Sequence, residues 1–162
     1  MNYYDLYEIS ISPIVDTNLV MKKYRLLQRQ MHPDKHIGKS EEDRMHMEAI
    51  SAEVNKAFEI FKHPMATLEY YLKFRGFLQE GEKYELSKDF LMKMMDMNEM
   101  LEEEGKSAYE EAISKFEDNL DAEAGMVLQK GDAITAEEIS KILLPYYFKK
   151  KYLLRLLDRL KD

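Results

Sequence analysis

The sequence predicts an all-α protein, an N-terminal helical hairpin packed beside a C-terminal three-helix bundle, and three observations carry that expectation. Apolar residues recur at i, i+4, i+7 and i+11 in segment after segment, the spacing of one face of a helix. Strand-like alternation bounded by turns is scarce, and glycine is low, at 6 residues. Met, Leu, Glu and Lys, which all favour helix, dominate the composition. The 162 residues suffice for one compact domain or two small ones, and 45% hydrophobic with 34% charged residues fits a soluble helical protein rather than a disordered chain.

The elements follow in order. Tyr3-Tyr4-Asp5-Leu6-Tyr7 supplies a short aromatic lead-in able to cover what comes next. Residues 18–31 form a helix with Val20, Tyr24, Leu27 and Met31 as its apolar stripe, while Lys22, Arg25 and Arg29 project from the opposite side. No acidic residue lies between Asp16 and Asp34. Like charges stacked at i, i+3 and i+4 are mildly destabilising, so an unmixed basic face points to an acidic partner surface. Pro33 cannot continue this helix and disfavours helical geometry at His32, so His32-Pro33-Asp34-Lys35 forms an exposed turn. The next helix, about residues 44–62, carries Met47, Ile50, Val54, Ala57, Phe58 and Phe61 on one side and packs antiparallel on the first, with the turn at the hairpin's tip.

His63-Pro64 starts a further helix that bears Leu68, Tyr70, Tyr71, Leu72 and Phe74 and stops near Gly76. The predicted organisation is a first module at 1–76, a connector at 77–86 and the bundle at 87–162, with the aromatics of residues 70–77 joining the halves. Ser87 caps the first bundle helix, which runs to Glu104 and ends at Gly105. The second spans about Ser107–Leu128, with Tyr109, Ile113, Phe116, Leu120 and Val127 inward, and Gly131-Asp132 makes the turn. Thr135 and Glu138 form a capping-box pattern at the start of the third, whose apolar set is Ile139, Ile142, Leu143, Tyr146, Leu153, Leu157 and Leu160. Pro145 should kink or divide it.

The first bundle helix has more apolar surface than one core requires. Phe90, Met94, Met97 and Leu101 make a core stripe, whereas Leu91, Met92 and Met95 lie on a separate flank continued by Asp96, Glu99 and Glu103. That flank either packs on neighbouring elements or serves as an adaptable, Met-rich binding surface.

Composition excludes several function classes. With no cysteine the chain holds no disulfide, thiolate metal site or nucleophilic thiol. His32, His36, His46 and His63 lack metal-ligand spacing and read as surface histidines, so neither a metal nor another cofactor is expected. Residues 1–75 are balanced in charge, and the net −7 arises in the C-terminal half. Lys149, Lys150, Lys151, Arg155, Arg159 and Lys161 make the end basic, but the overall acidity and the neighbouring leucines favour an amphipathic helix pairing with acidic neighbours over nucleic-acid binding. No apolar run approaches a bilayer's span, and residues 1–20 carry Asp5, Glu8 and Asp16 with no basic residue, which speaks against membrane association and against a presequence.

The ordered set of Tyr4-Asp5-Leu6-Tyr7, a basic helix with Tyr24, the turn His32-Pro33-Asp34-Lys35 and an apolar helix ending near Phe61 resembles a J-domain over residues 2–75. J-domains bind DnaK-type chaperone ATPases. The resemblance implies His32, Pro33 and Asp34 as the essential loop, flanked by Lys35, with Lys22, Arg25 and Arg29 as the docking face. His63-Pro64-Met65, Glu69-Tyr70-Tyr71-Leu72 and Phe90-Leu91-Met92 followed by acids extend the likeness over nearly the full length, to the HscB-type J-proteins of iron–sulfur cluster assembly. It implies that the bundle binds the cluster scaffold IscU through Leu91, Met92, Met95, Asp96, Glu99 and Glu103, while the J-domain recruits the chaperone HscA. A last-helix aromatic also joins that family's scaffold site, and Tyr146, Tyr147 and Phe148 all compete for the place. The N-terminal cysteine metal site of some members is absent. The expectation is a co-chaperone with no chemistry of its own, cytoplasmic in a bacterium, or of the mitochondrial matrix if a presequence precedes this chain. Two alternatives stand beside it: a J-protein for general unfolded clients, and a small helical enzyme with His32 and Asp34 as an acid–base pair, which lacks a recognisable pocket, nucleophile or cofactor motif.

Overall fold

Several helices begin where the sequence supplies a capping side chain. In the computed structural model, which describes residues 1–161, Asn2 caps α1 (Tyr3–Leu6), Asp16 caps α2 (Thr17–Gln30), Ser40 caps α3 (Glu41–Phe61) and Ser87 caps α5 (Lys88–Glu104). In each, a side-chain oxygen accepts from a backbone N–H of the first turn that has no partner within the helix. Pro64 opens α4 (Pro64–Phe74), Gly105 at φ 96° turns the chain into α6 (Lys106–Leu128), and the Thr135–Glu138 capping box starts α7 (Ala136–Glu138). The last helix is α8 (Leu144–Leu160). No strand occurs among the described residues, as the composition predicted. α3 starts earlier than its apolar periodicity indicated, because Glu41, Glu42 and Asp43 suit a first turn electrostatically without contributing to the stripe.

Contacts divide the chain into Met1–Tyr71 and Leu72–Asp162, a division that falls within α4. In the first unit α2 and α3 run antiparallel. Tyr24 stacks on Phe58 with centroids 4.0 Å apart, and its hydroxyl donates to Asn55 at 3.1 Å, while Met31 at the end of α2 lines one cavity with Arg44 and Met47 near the start of α3. The aromatic lead-in closes one side. Tyr7 is fully buried yet satisfied, its hydroxyl donating to the Val54 carbonyl at 2.7 Å, and Tyr4 donates to the Ser12 carbonyl at 2.8 Å. Phe61 packs edge-on to Tyr7 at 5.6 Å, and Tyr3 stacks on Tyr70 at 5.1 Å. Such residues bury large apolar area while keeping a hydrogen-bonding tip, which is why tyrosine serves here.

The second unit is built on α5, α6 and α8. Phe90 lies 5.6 Å from Tyr152 and 5.8 Å from Phe116, so all three helices meet around one ring. The segment before α5 is fastened as well. Leu78 is buried, Tyr84 stacks on Phe148 at 4.3 Å, and the Arg75 guanidinium donates twice to the Ile134 carbonyl at 3.3 Å.

Pro145 divides the last helix by way of a π-helical turn, Ile139–Leu143, after which it occupies the first turn of α8. Proline lacks an N–H, and its ring collides with the carbonyl four residues back in a regular helix; widening the preceding turn removes the collision. The widened turn also shifts the register. Ile142, assigned to the core by straight-helix spacing, is exposed, whereas Tyr147 and Leu156 take core positions that the spacing did not assign. Among the described residues, no helix is long and apolar enough to cross a membrane.

Candidate functional site

Two surfaces carry the residues singled out by the sequence. The first grows from the end of α2. His32 adopts the extended geometry that a following proline favours, φ −59° and ψ 136°, and Pro33–His36 form a single 3-10 turn. The His32 ring caps that turn: Nδ1 accepts from the Asp34 backbone N–H at 3.2 Å, and the Lys35 N–H donates to the His32 carbonyl at 2.9 Å. Asp34 Oδ2 lies 3.5 Å from the same nitrogen, yet the two side chains remain 59% and 82% exposed. The turn is thus braced from within and open to a partner.

His36 corrects the reading of all four histidines as surface groups. His46 and His63 are exposed, but His36 is buried, and its Nε2–H donates to the Gln30 carbonyl at 3.1 Å. The last carbonyls of a helix lack donors of their own, and folding the turn back supplies one. Because a carbonyl only accepts, this bond assigns the hydrogen to Nε2; Nδ1 is buried without a hydrogen-bond partner. His36 therefore ties the turn to α2.

Lys22, Arg25 and Arg29 are exposed on one face of α2, and among the described residues none makes an ion pair. Lys23, on the flank of that face, is drawn to Glu8 at 3.5 Å. Arg25, Gln28, Arg29, His32, Asp34 and Lys35 line one open groove of about 820 Å³, so the basic face and the turn form a continuous surface. Lys22 continues the face beyond the groove at helical spacing. Sequence reasoning passed over Gln28, whose amide donates to the Tyr24 hydroxyl at 2.6 Å. Its position three residues after Arg25 could have placed it on the groove's edge. Chemically the groove offers many donors and cations around one carboxylate, which suits an acidic, carbonyl-rich counterpart.

The second surface is the outer flank of α5. Phe90 and Met94 point into the core, with Met94 only 1% exposed, while Met92 and Met95 stand 63% and 64% exposed and Leu91 lies beside them. Asp96, Glu99 and Glu103 continue this flank, exposed and without ion pairs among the described residues. Met97, expected in the core stripe, is only half-buried. From Leu91 to Glu103 the strip runs roughly 18 Å along the axis.

The three aromatic candidates on α8 differ sharply. Tyr146 is buried against α6, its hydroxyl donating to Asp121 at 2.7 Å, and burial followed by that carboxylate pushes its pKa up to about 12. Tyr147 is also buried, whereas Phe148 is half-buried and stacks on Tyr84. The basic end of the chain departs in part from the expected acidic pairing. Lys150 does pair with Asp121 and with Glu117 at 3.7 Å. Lys149, Lys151 and Arg155 instead lie over the rings of Phe90, Tyr147 and Tyr152, at 5.5 to 5.8 Å from their centroids. No group of three or more His, Cys, Asp or Glu side chains among the described residues could hold a metal ion.

No family model matches the sequence. The chain is 31% identical over 166 residues to the co-chaperone protein HscB homolog of Shewanella baltica strain OS155, an alignment covering 99% of this chain and 95% of that one. It is 39% identical over 104 residues to the homolog of Shewanella pealeana, where the match spans 64% of this chain and about 60% of the relative's length. Among solved structures, the chaperone HscB from Vibrio cholerae superposes with a TM-score of 0.63 at 27% identity, covering 99% of this chain and 96% of that one. The human co-chaperone protein HscB gives 0.71 at 25% identity, over 99% and 81%. Sequence similarity along nearly the whole chain and a shared fold agree: the chain belongs to the HscB family of co-chaperones.

Proposed function

We propose that this chain is a co-chaperone of iron–sulfur cluster assembly, which stimulates the ATPase of a DnaK/HscA-type chaperone and delivers a scaffold of the IscU type to it. The observation that carries this reading is the joining of the His32-Pro33-Asp34 turn and the unpaired cations of α2 in a single groove. Lys22, Arg25, Arg29 and Lys35 steer and hold an acidic face of the chaperone, and the braced turn presents His32 and Asp34 to it. Leu91, Met92 and Met95 supply apolar anchors for the scaffold, and Asp96, Glu99 and Glu103 set its register through basic groups. The two surfaces lie on different units of the chain. Hydrolysis then traps the scaffold on the chaperone.

A capture experiment with the full chain tests the scaffold half of this reading. Wild-type protein and His32→Gln should both retain an IscU-type scaffold, and the variant with Leu91, Met92 and Met95 all changed to Ala should not. Retention of unfolded polypeptides without the scaffold would replace this reading with a general J-protein.

A further inference from the structure

The basic face of α2 has an apolar edge. Leu19 and Leu26, at i and i+7, are 41% and 46% exposed and lie on one line of the helix, roughly 10 Å apart. Lys22 follows Leu19 by three residues and Arg29 follows Leu26 by three, so each leucine adjoins an unpaired cation of the face. Lys22 and Lys23 flank the line between the two leucines, and the Lys23 ammonium is drawn to Glu8. The helix already has its core stripe elsewhere, in Val20, Tyr24, Leu27 and Met31. Isolated exposed leucines are ordinary on protein surfaces; two aligned ones bordering a row of unpaired cations form a composite surface.

We propose that Leu19 and Leu26 are apolar anchors of the chaperone-docking surface, so that the chaperone's complementary face sets an apolar strip beside its acidic patch. The inference rests on the functional reading above, in which the same cations dock the chaperone. Charge complementarity selects the occupant, since a second copy meeting this face with the same face would bring an identical row of cations against Lys22, Arg25 and Arg29. The consequence is a division of labour: the cations supply the salt-sensitive part of docking and the leucines a part that salt does not screen.

The test is a titration of the purified DnaK-type chaperone, with ATP, at several ionic strengths. The proteins compared are the wild-type chain, Leu19→Ser/Leu26→Ser, Arg25→Glu/Arg29→Glu, and Met126→Ser as a control at an exposed apolar site on α6. The leucine variant should bind about tenfold more weakly at every ionic strength, with the wild-type salt slope and an unchanged melting temperature. The charge variant should lose affinity mostly at low salt, and Met126→Ser should bind normally. Should the double leucine variant melt early, Leu26→Gln alone is read by the same criteria. Leucine variants that bind normally beside a weakened charge variant would overturn this inference and leave the functional reading standing. Normal binding by both sets would overturn both. Loss of wild-type self-association in the leucine variant, with chaperone binding intact, would assign the strip to a second copy and also overturn the inference.

Discussion

Individual side chains decide how firmly the candidate turn is held. The His36 ring satisfies an α2 carbonyl and fills space behind the turn. His36→Ala should therefore lower stability by about 1–3 kcal/mol, measured by denaturant unfolding, because it removes a buried hydrogen bond and leaves a void. An unchanged midpoint would show that the turn does not depend on this anchor. Tyr146 gives a second prediction. Its phenol is held neutral by burial and by Asp121, so its folded pKa of about 12 lies above the ordinary 10.0. Its contribution is complete below pH 10 and is lost as pH climbs from 10 toward 12. Tyr146→Phe should consequently lose stability less steeply over that window, as followed by thermal melts at stepped pH; identical slopes would contradict the assignment. The exposed turn at His32, Pro33 and Asp34 was legible from four letters and their setting. The burial of His36 was not, because polarity alone says nothing of a carbonyl six residues back that needs a donor.

At the level of the element, α5 shows one helix serving two environments. Met94 lies wholly inside, so Met94→Ala should cost on the order of 2–5 kcal/mol in thermal or denaturant unfolding. Leu91→Ala, Met92→Ala and Met95→Ala, at exposed positions, should each shift stability by about half a kcal/mol or less. Early melting of the Met92 or Met95 variant together with a stable Met94→Ala would reverse the two faces. This distinction was readable from spacing, since a regular helix keeps its period of 3.6 residues throughout. Spacing failed around Pro145, where the π turn at Ile139–Leu143 widens the helix and leaves Ile142 exposed and Tyr147 buried, although Leu153 keeps the core place the spacing gave it. The proline announced an irregularity without announcing its form. The helix start at Ser87 was written in its capping side chain, whereas the start at Ser40 was missed, because the acidic first turn of α3 lay outside any apolar pattern.

For the whole molecule, the proposed function gives one chain two separate tasks, a groove on the first unit to act on a chaperone ATPase and a helix flank on the second to hold a scaffold. Composition made the all-helical class legible, and the ordered motifs made the family legible, because both depend on local residues. Charge on α8 was harder to read, since Lys149, Lys151 and Arg155 find aromatic faces that only the folded chain brings near. Docking through unpaired cations predicts that chaperone affinity falls as salt rises from about 0.05 to 0.3 M, over which screening shortens the reach of exposed charges. Affinity independent of salt would remove Lys22, Arg25 and Arg29 from the interface. The most direct test of the central claim is the ATP hydrolysis rate of a DnaK/HscA-type chaperone with wild-type protein and with His32→Gln at matched concentration. Stimulation by the wild type and its loss in a variant that melts normally and still captures the scaffold is the predicted result; equal stimulation by the two proteins would contradict the account.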